Sequence, residues 1–444
     1  MKKMKRSSLF LLALVLSGSV MFAQQRQIEF TEYDLDNGLH VILYEDHSTP
    51  IVSVSVMYNV GSKNEQPDRT GFAHFFEHLM FEGTENIPRG EYSRYVEKSG
   101  GTLNANTSAD RTYYYEIFPS NQLEMGLWLE SERMLHAKVD SVGIATQKQV
   151  VIEEKKQNYD NRPYGSILIE VMKRAFKEHP YRWTTIGDPD HIRAAKDEEF
   201  QQFYDQFYVP DNAVLVIAGD IEPEKTRQLV QKYFGDIPAG EGEIYRPDVV
   251  EPPLGGEVRD TVYDNIQIPL VLHAYRTPAM GTEDYYALEM LSTLLADGQS
   301  SRLYKSLVDE QQIAMQVSSF PLPFRDPSVS IAFALPNMGK DIEELEQAMI
   351  TEIEKVKNNL IDEKEFQKLK NKFENDIISS KTRIAGIAND LARYYTYFGD
   401  TDMINSELDK YMSVTREDIK RVANKYYTKD NRVVLYYLPE SQKN

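Results

Sequence analysis

Apolar and polar positions alternate first between residues 39 and 60. Leu39 to Glu45 and Ile51 to Val60 read as two strands. In the second, Val52, Val54 and Val56 fall on one side and Ser53 and Ser55 on the other, the period-two pattern of a sheet strand. Asp46, His47, Ser48 and Pro50 supply the turn between them. The period then lengthens. A helix is expected from about Gly71 to Phe81, with Asp68 or Thr70 as its cap. Thr112 to Phe118 is extended and tyrosine-rich, and helical periodicity returns over Leu123 to His136 and Gly143 to Gln157.

Residues 236–256 have no period. Pro238, Gly240, Gly242, Pro247, Pro252, Pro253, Gly255 and Gly256 punctuate them, which is linker composition. The segments on either side contain a repeat. Lys196 to Phe200 leads to Tyr208-Val209-Pro210-Asp211-Asn212-Ala213-Val214. At a constant offset of 219, Thr415 to Ile419 leads to Tyr427-Thr428-Lys429-Asp430-Asn431-Arg432-Val433. Each copy is an amphipathic helix, a D-N turn and a valine-rich strand. Two related α+β domains follow, at 26–236 and 257–440, joined by a linker at 237–256. A length of 444 residues suits two cores better than one.

Residues 1–23 stand apart. Lys2, Lys3, Lys5 and Arg6 precede a short apolar run, Leu9 to Leu16, then small residues and Ala23. This is signal-peptide layout, and it implies a periplasmic or secreted protein. The chain has no cysteine, so no lipid anchor is expected at the cleavage site, and no later stretch is apolar enough to span a membrane. Cleavage removes four of the 50 Lys and Arg and leaves 69 Asp and Glu. So acidic a chain is repelled by nucleic acid.

The chemistry concentrates in His74-Phe75-Phe76-Glu77-His78. Residues i and i+4 of a helix share a face, so both imidazoles reach one ion. Glu77 then stands beside that ion as a base for its water. A hydrolytic zinc site needs a third protein ligand and an open position. Ile144, Gln147, Val151 and Glu154 form one stripe of the later helix. A carboxylate on an inward stripe needs a partner, which makes Glu154 the candidate. Glu153 should face away.

The run Thr70 to Thr84 closely resembles the insulinase, pitrilysin and mitochondrial-processing-peptidase family. So do Gly100-Gly101-Thr102-Leu103-Asn104-Ala105-Asn106-Thr107 and Val150-Val151-Ile152-Glu153-Glu154. The resemblance implies one zinc per chain on His74, His78 and Glu154, with Glu77 as catalytic base. It also implies two mostly antiparallel sheets packed with helices, forming a clam-shell chamber for peptides or unfolded segments. Asn104, Ala105, Asn106 and Thr107 would be an edge strand to which substrate adds. Two departures stand out. Gln147 replaces a glutamate usual among the family's catalytic residues. Ser300-Ser301-Arg302-Leu303 fits the family, but Val308, Gln311 and Met315 stand where a substrate-gripping arginine and tyrosine are expected. Either Arg302 or Tyr304 grips the substrate, or a homologous partner chain supplies the missing pair. A non-catalytic, peptide-holding subunit is the alternative function.

Overall fold

The computed structural model describes residues 27–443; the expected signal peptide at 1–23 lies outside them. The first half contains strands β1 (Thr31–Asp34), β2 (His40–Glu45), β3 (Ile51–Tyr58), β4 (Thr102–Thr107), β5 (Thr112–Pro119) and β6 (Ala213–Gly219). Its helices are α1 (Phe72–Leu79), α2 (Tyr92–Lys98), α3 (Leu123–His136), α4 (Ser141–Lys155), α5 (Ile167–Ala175), α6 (Pro189–Ala194), α7 (Asp197–Phe207) and α8 (Pro223–Phe234). The second half contains β7 (Val258–Asp264), β8 (Leu270–Thr277), β9 (Ala314–Leu322), β10 (Ser328–Pro336) and β11 (Arg432–Pro439). Around these lie α9 (Glu283–Ala296), α10 (Ile342–Asn358), α11 (Glu363–Ser380), α12 (Ile384–Phe398), α13 (Met403–Ser413) and α14 (Arg416–Tyr426). Residues 241–256 carry neither helix nor strand.

The sheet orders are β1-β2-β6-β3-β5-β4 and β7-β11-β8-β10-β9. With β1 set aside, one order maps onto the other. Each sheet has a single parallel pair, β2 with β6 and β7 with β11, and is otherwise antiparallel. The repeat extends to single bonds. Asn212 donates its amide to Phe207 O at 2.7 Å, and Asn431, 219 residues on, donates to Tyr426 O at 2.8 Å. The D-N turn thus closes the helix before it in both copies, which is why it recurs.

The hydrophobic cores do not follow the linker. Val52, Val54 and Val56 point into a core built with α1, α3 and α7. The opposite face of this sheet, with Ile42, Met57, Tyr113 and Val216, is covered by Ile384, Ile387, Leu391 and Ala392 of α12, from the second half. Ser53 and Ser55 are therefore fully buried although polar. Small side chains let a helix lie close, and Ser55 Oγ donates to Val216 O at 3.3 Å. The loan is returned: Val171, Met172 and Ala175 of α5 pack on Leu270, Leu272 and Leu435 of the second sheet. Each half lends the other a helix. Among the described residues no helix is long and apolar enough to cross a membrane.

Candidate active site

Helix α1 is the anchor. Phe72, Phe75 and Phe76 are buried and stack on α7, with Phe72 and Phe75 at 4.6 and 4.4 Å from Phe200 and Phe76 at 5.3 Å from Phe203. His74, Glu77 and His78 occupy the remaining, partly exposed surface. The cap is neither Asp68 nor Thr70. Gly71 holds a left-handed φ of 94° at the helix start, a conformation that favours glycine. The buried Glu65 carboxylate accepts the N–H groups of Gly71 and Ala73, both at 2.9 Å. Burial pushes the Glu65 carboxyl up to about 8, against the pull of these donors. Thr70 instead accepts from Asp188 N and pairs with His191, and Asp68 is exposed beside Arg69.

Helix α4 starts with a side-chain cap, Asp140 accepting from Gly143 N at 2.8 Å. Ile144, Gln147 and Val151 are buried on one stripe, and Glu154 emerges at its end. Glu153 is exposed and meets Lys156. His74 Nε2 lies 3.5 Å and His78 Nε2 3.2 Å from Glu154 Oε2, and the two Nε2 atoms are 3.3 Å apart. Ligands about 2.0–2.1 Å from a tetrahedral ion are about 3.3–3.4 Å from one another. The triangle therefore fits a zinc-sized ion before any movement, and these three residues can hold one. Burial, then the neighbouring His78, lowers the His74 pKa. The hydrogen bond from His78 pulls Glu154 down. Neutral imidazole and ionised carboxylate are the forms that bind metal. The Glu77 carboxylate makes no hydrogen bond among the described residues, so it is available to a water or substrate.

Gln147 does not join the triangle. It lies seven residues before Glu154, about 10 Å along the helix. Its Nε2 donates to Glu82 Oε1 at 2.5 Å. Glu82 also accepts from Arg89 at 2.6 Å, and Arg89 reaches Asp140, the α4 cap, at 2.8 Å.

Strand β4 is the free edge of its sheet. Thr102, Asn104 and Asn106 are exposed, while Leu103, Ala105 and Thr107 are half-buried. One outward edge group is already engaged: Ala105 N–H donates to Asn104 Oδ1 at 2.8 Å. Arg111 donates to Asn106 O at 2.8 Å, a carbonyl that faces β5 rather than the free edge. Arg302 is committed elsewhere, donating to both oxygens of Glu365 at 3.0 and 2.6 Å. Met315 is half exposed on β9, and Gln311 bonds Ser306. Sequence reasoning missed Glu65, Glu82 and Arg111. The only advance sign was an acidic or basic residue a few positions from the motif or the edge strand.

Residues 40–189 match the profile of the insulinase family, peptidase family M16, and residues 195–373 match that of the peptidase M16 inactive domain. The three candidate metal-site residues lie in the first of these. A Helicobacter pylori protein named zinc protease PqqE is 32% identical over 432 residues, covering 96% of both chains. The beta subunit of the mitochondrial-processing peptidase of Blastocladiella emersonii is 23% identical, over 90% of this chain and 87% of its own. The crystal structure of a protease from H. pylori superimposes with a TM-score of 0.89 at 30% identity, over 93% of this chain and all of the other. The Escherichia coli periplasmic protease PqqL shares the fold alone, with TM-score 0.76 and 17% identity, over 93% of this chain and 48% of its own.

Proposed function

Because the chain belongs to the insulinase (M16) peptidase family, we propose that it is a zinc-dependent endopeptidase acting on extended peptides or unfolded segments. The observation that carries this reading is the triangle of His74, His78 and Glu154, with donor atoms 3.2–3.5 Å apart. A zinc ion held there would polarise a substrate carbonyl and bring the pKa of its water down to about 7. With zinc bound, Glu77 would take a proton from the attacking water at its free carboxylate and return it to the departing amine nitrogen. Its place one residue before His78 keeps it at the metal without spending it as a ligand. The outer edge of β4 binds substrate as an added strand. Main-chain bonds give grip with little side-chain selectivity, and Asn104 Oδ1 leaves the Ala105 N–H as the peptide arrives. The basic, then apolar, start of the chain supports action outside the cytoplasm.

The test is hydrolysis of a quenched fluorescent unstructured peptide by the mature chain and by Glu77→Gln, with bound zinc measured in both. Both proteins should hold one zinc, and the variant should lose about 10²- to 10⁴-fold in rate. Equal rates would remove Glu77 from the mechanism. A wild type that holds zinc yet cuts nothing would favour a peptide-holding role.

A second reading has one observation behind it. With Arg302 occupied by Glu365, the second half offers no free arginine at the position the sequence pointed to, and a homologous partner chain would supply it. A sized, fully active monomer would rule this out.

A further inference from the structure

Beyond their apolar packing, polar contacts tie α4 to α1 and to the turn after it at two places. One is the metal triangle; the other is the Gln147–Glu82 hydrogen bond, just past the C-terminus of α1. Glu154 pairs with the helix body and Gln147 with the residue beyond its end, so the two helices run antiparallel. The second contact has a brace. Arg89 donates to Glu82 at 2.6 Å and to both oxygens of Asp140 at 2.8 and 2.9 Å, and Asp140 caps α4. Arg89 also lies along the first turn of α4: a Cβ on Gly143 would come 2.8 Å from its Nη1. Glu82 and Gln147 are largely shielded, with the Glu82 side chain 12% exposed and Gln147 9% exposed.

We propose that Glu82 and Gln147 are positioning residues which fix α4 on α1 without metal, so that Glu154 arrives at the two histidines already placed. The proposal rests on the zinc-peptidase reading. The pair works because one side is a carboxylate and the other an amide. Gln147 donates where a second carboxylate would repel, and Glu82 keeps the charge that Arg89 needs. The lever is long. Glu154 stands about 10 Å from Gln147 along α4, so a swing of about 10° there carries the carboxylate about 2 Å. Metal–ligand distances tolerate about 0.2 Å.

The test measures zinc affinity of the mature chain by competition with a fluorescent chelator, for wild type, Gln147→Glu, Glu82→Gln and the reciprocal double variant. Gln147→Glu sets two carboxylates against each other and should weaken zinc binding about 10- to 100-fold, the range for residues that orient metal ligands. The reciprocal double variant restores one amide and one carboxylate and should recover most of that loss, though Arg89 then has the weaker partner. A general loss of folding would not be rescued by the swap. Gln147→Met, which removes the donor and leaves Glu82 to Arg89, serves if Gln147→Glu fails to fold, and should weaken zinc binding in the same direction. Gln147→Glu binding zinc within twofold of wild type, or a double variant no better than Gln147→Glu, would overturn the proposal. A wild type that binds no zinc would overturn the peptidase reading and this one with it. Unmoved variants beside a zinc-binding wild type would overturn the positioning role alone.

Discussion

Replacing Glu65 should damage the metal helix more than any local reading of the motif suggests. Its carboxylate receives the N–H groups of Gly71 and Ala73, both at 2.9 Å, from a site 3% exposed. With its carboxyl pushed up to about 8, Glu65 is largely neutral near neutral pH, and leaving a buried N–H unpaired costs about 1–3 kcal/mol. Glu65→Ala, which leaves two such groups unpaired, should cost about 2–6 kcal/mol. That is a large part of the 5–15 kcal/mol that typically holds a folded domain together. Glu65→Gln keeps one carbonyl acceptor and turns its NH₂ group towards the second N–H, so it should cost about half as much. Urea unfolding followed by tryptophan fluorescence is well suited to the measurement. Trp183 hydrogen-bonds Ser62 O at 2.8 Å, three residues from Glu65, and reports on this corner. Zinc affinity should fall in parallel, because His74 lies in the first turn of α1. The reasoning fails if Glu65→Ala unfolds within 1 kcal/mol of wild type, or if Glu65→Gln is as damaged as Glu65→Ala.

Two further outcomes can be measured directly. Asn104→Ala should lower KM for an extended peptide about 2- to 10-fold and leave kcat unchanged. A bond of about 0.5–1.5 kcal/mol now ties the outward Ala105 N–H to Asn104 Oδ1 on the edge substrate must use; a raised KM would show that Asn104 holds substrate instead. On acidification the second half should lose stability at the Asp284 cluster beside α9. Burial pushes Asp284 up, but hydrogen bonds from Lys425, Arg421 and Tyr426 outweigh it and hold the carboxyl at about 2, against an ordinary 3.8. A lowered carboxyl pKa stabilises the fold above the ordinary value, and that stability is lost as pH falls towards 2. Urea midpoints of wild type should fall through this window, and those of Asp284→Asn should fall less steeply; parallel curves would refute the assignment.

The candidate metal site was legible because local rules suffice for its geometry. Two histidines four apart in a helix share a face, and Glu154 ends a stripe whose other members, Ile144, Gln147 and Val151, are buried. The repeat was legible because the bond it encodes, Asn212 to Phe207 and Asn431 to Tyr426, spans only five residues. What failed depends on distant chain. Nothing near the serines of β3 marks their burial, because α12, which covers them, begins 329 residues after Ser55. Asp68 and Thr70 were the nearest capping residues, yet Glu65 reaches the helix from a preceding turn. Strand β4 runs against local propensity, since asparagine disfavours strands, and only its resemblance to a known edge strand marked it. Gln147 read as a lost charge; beside Glu82 an amide is the residue that bonds.

The exchange of α5 and α12 has an evolutionary consequence. Two copies of a unit, each lending the same helix to the other's sheet, make a domain-swapped dimer. Here the two copies share one chain, tied through residues 241–256. A gene duplication that fused such a dimer would inherit this topology ready-made, and would free one copy from carrying the metal while keeping it indispensable. Neither half then has a life of its own. Expressed separately, each would expose the face meant for the other's helix, and only their co-expression would restore a closed molecule.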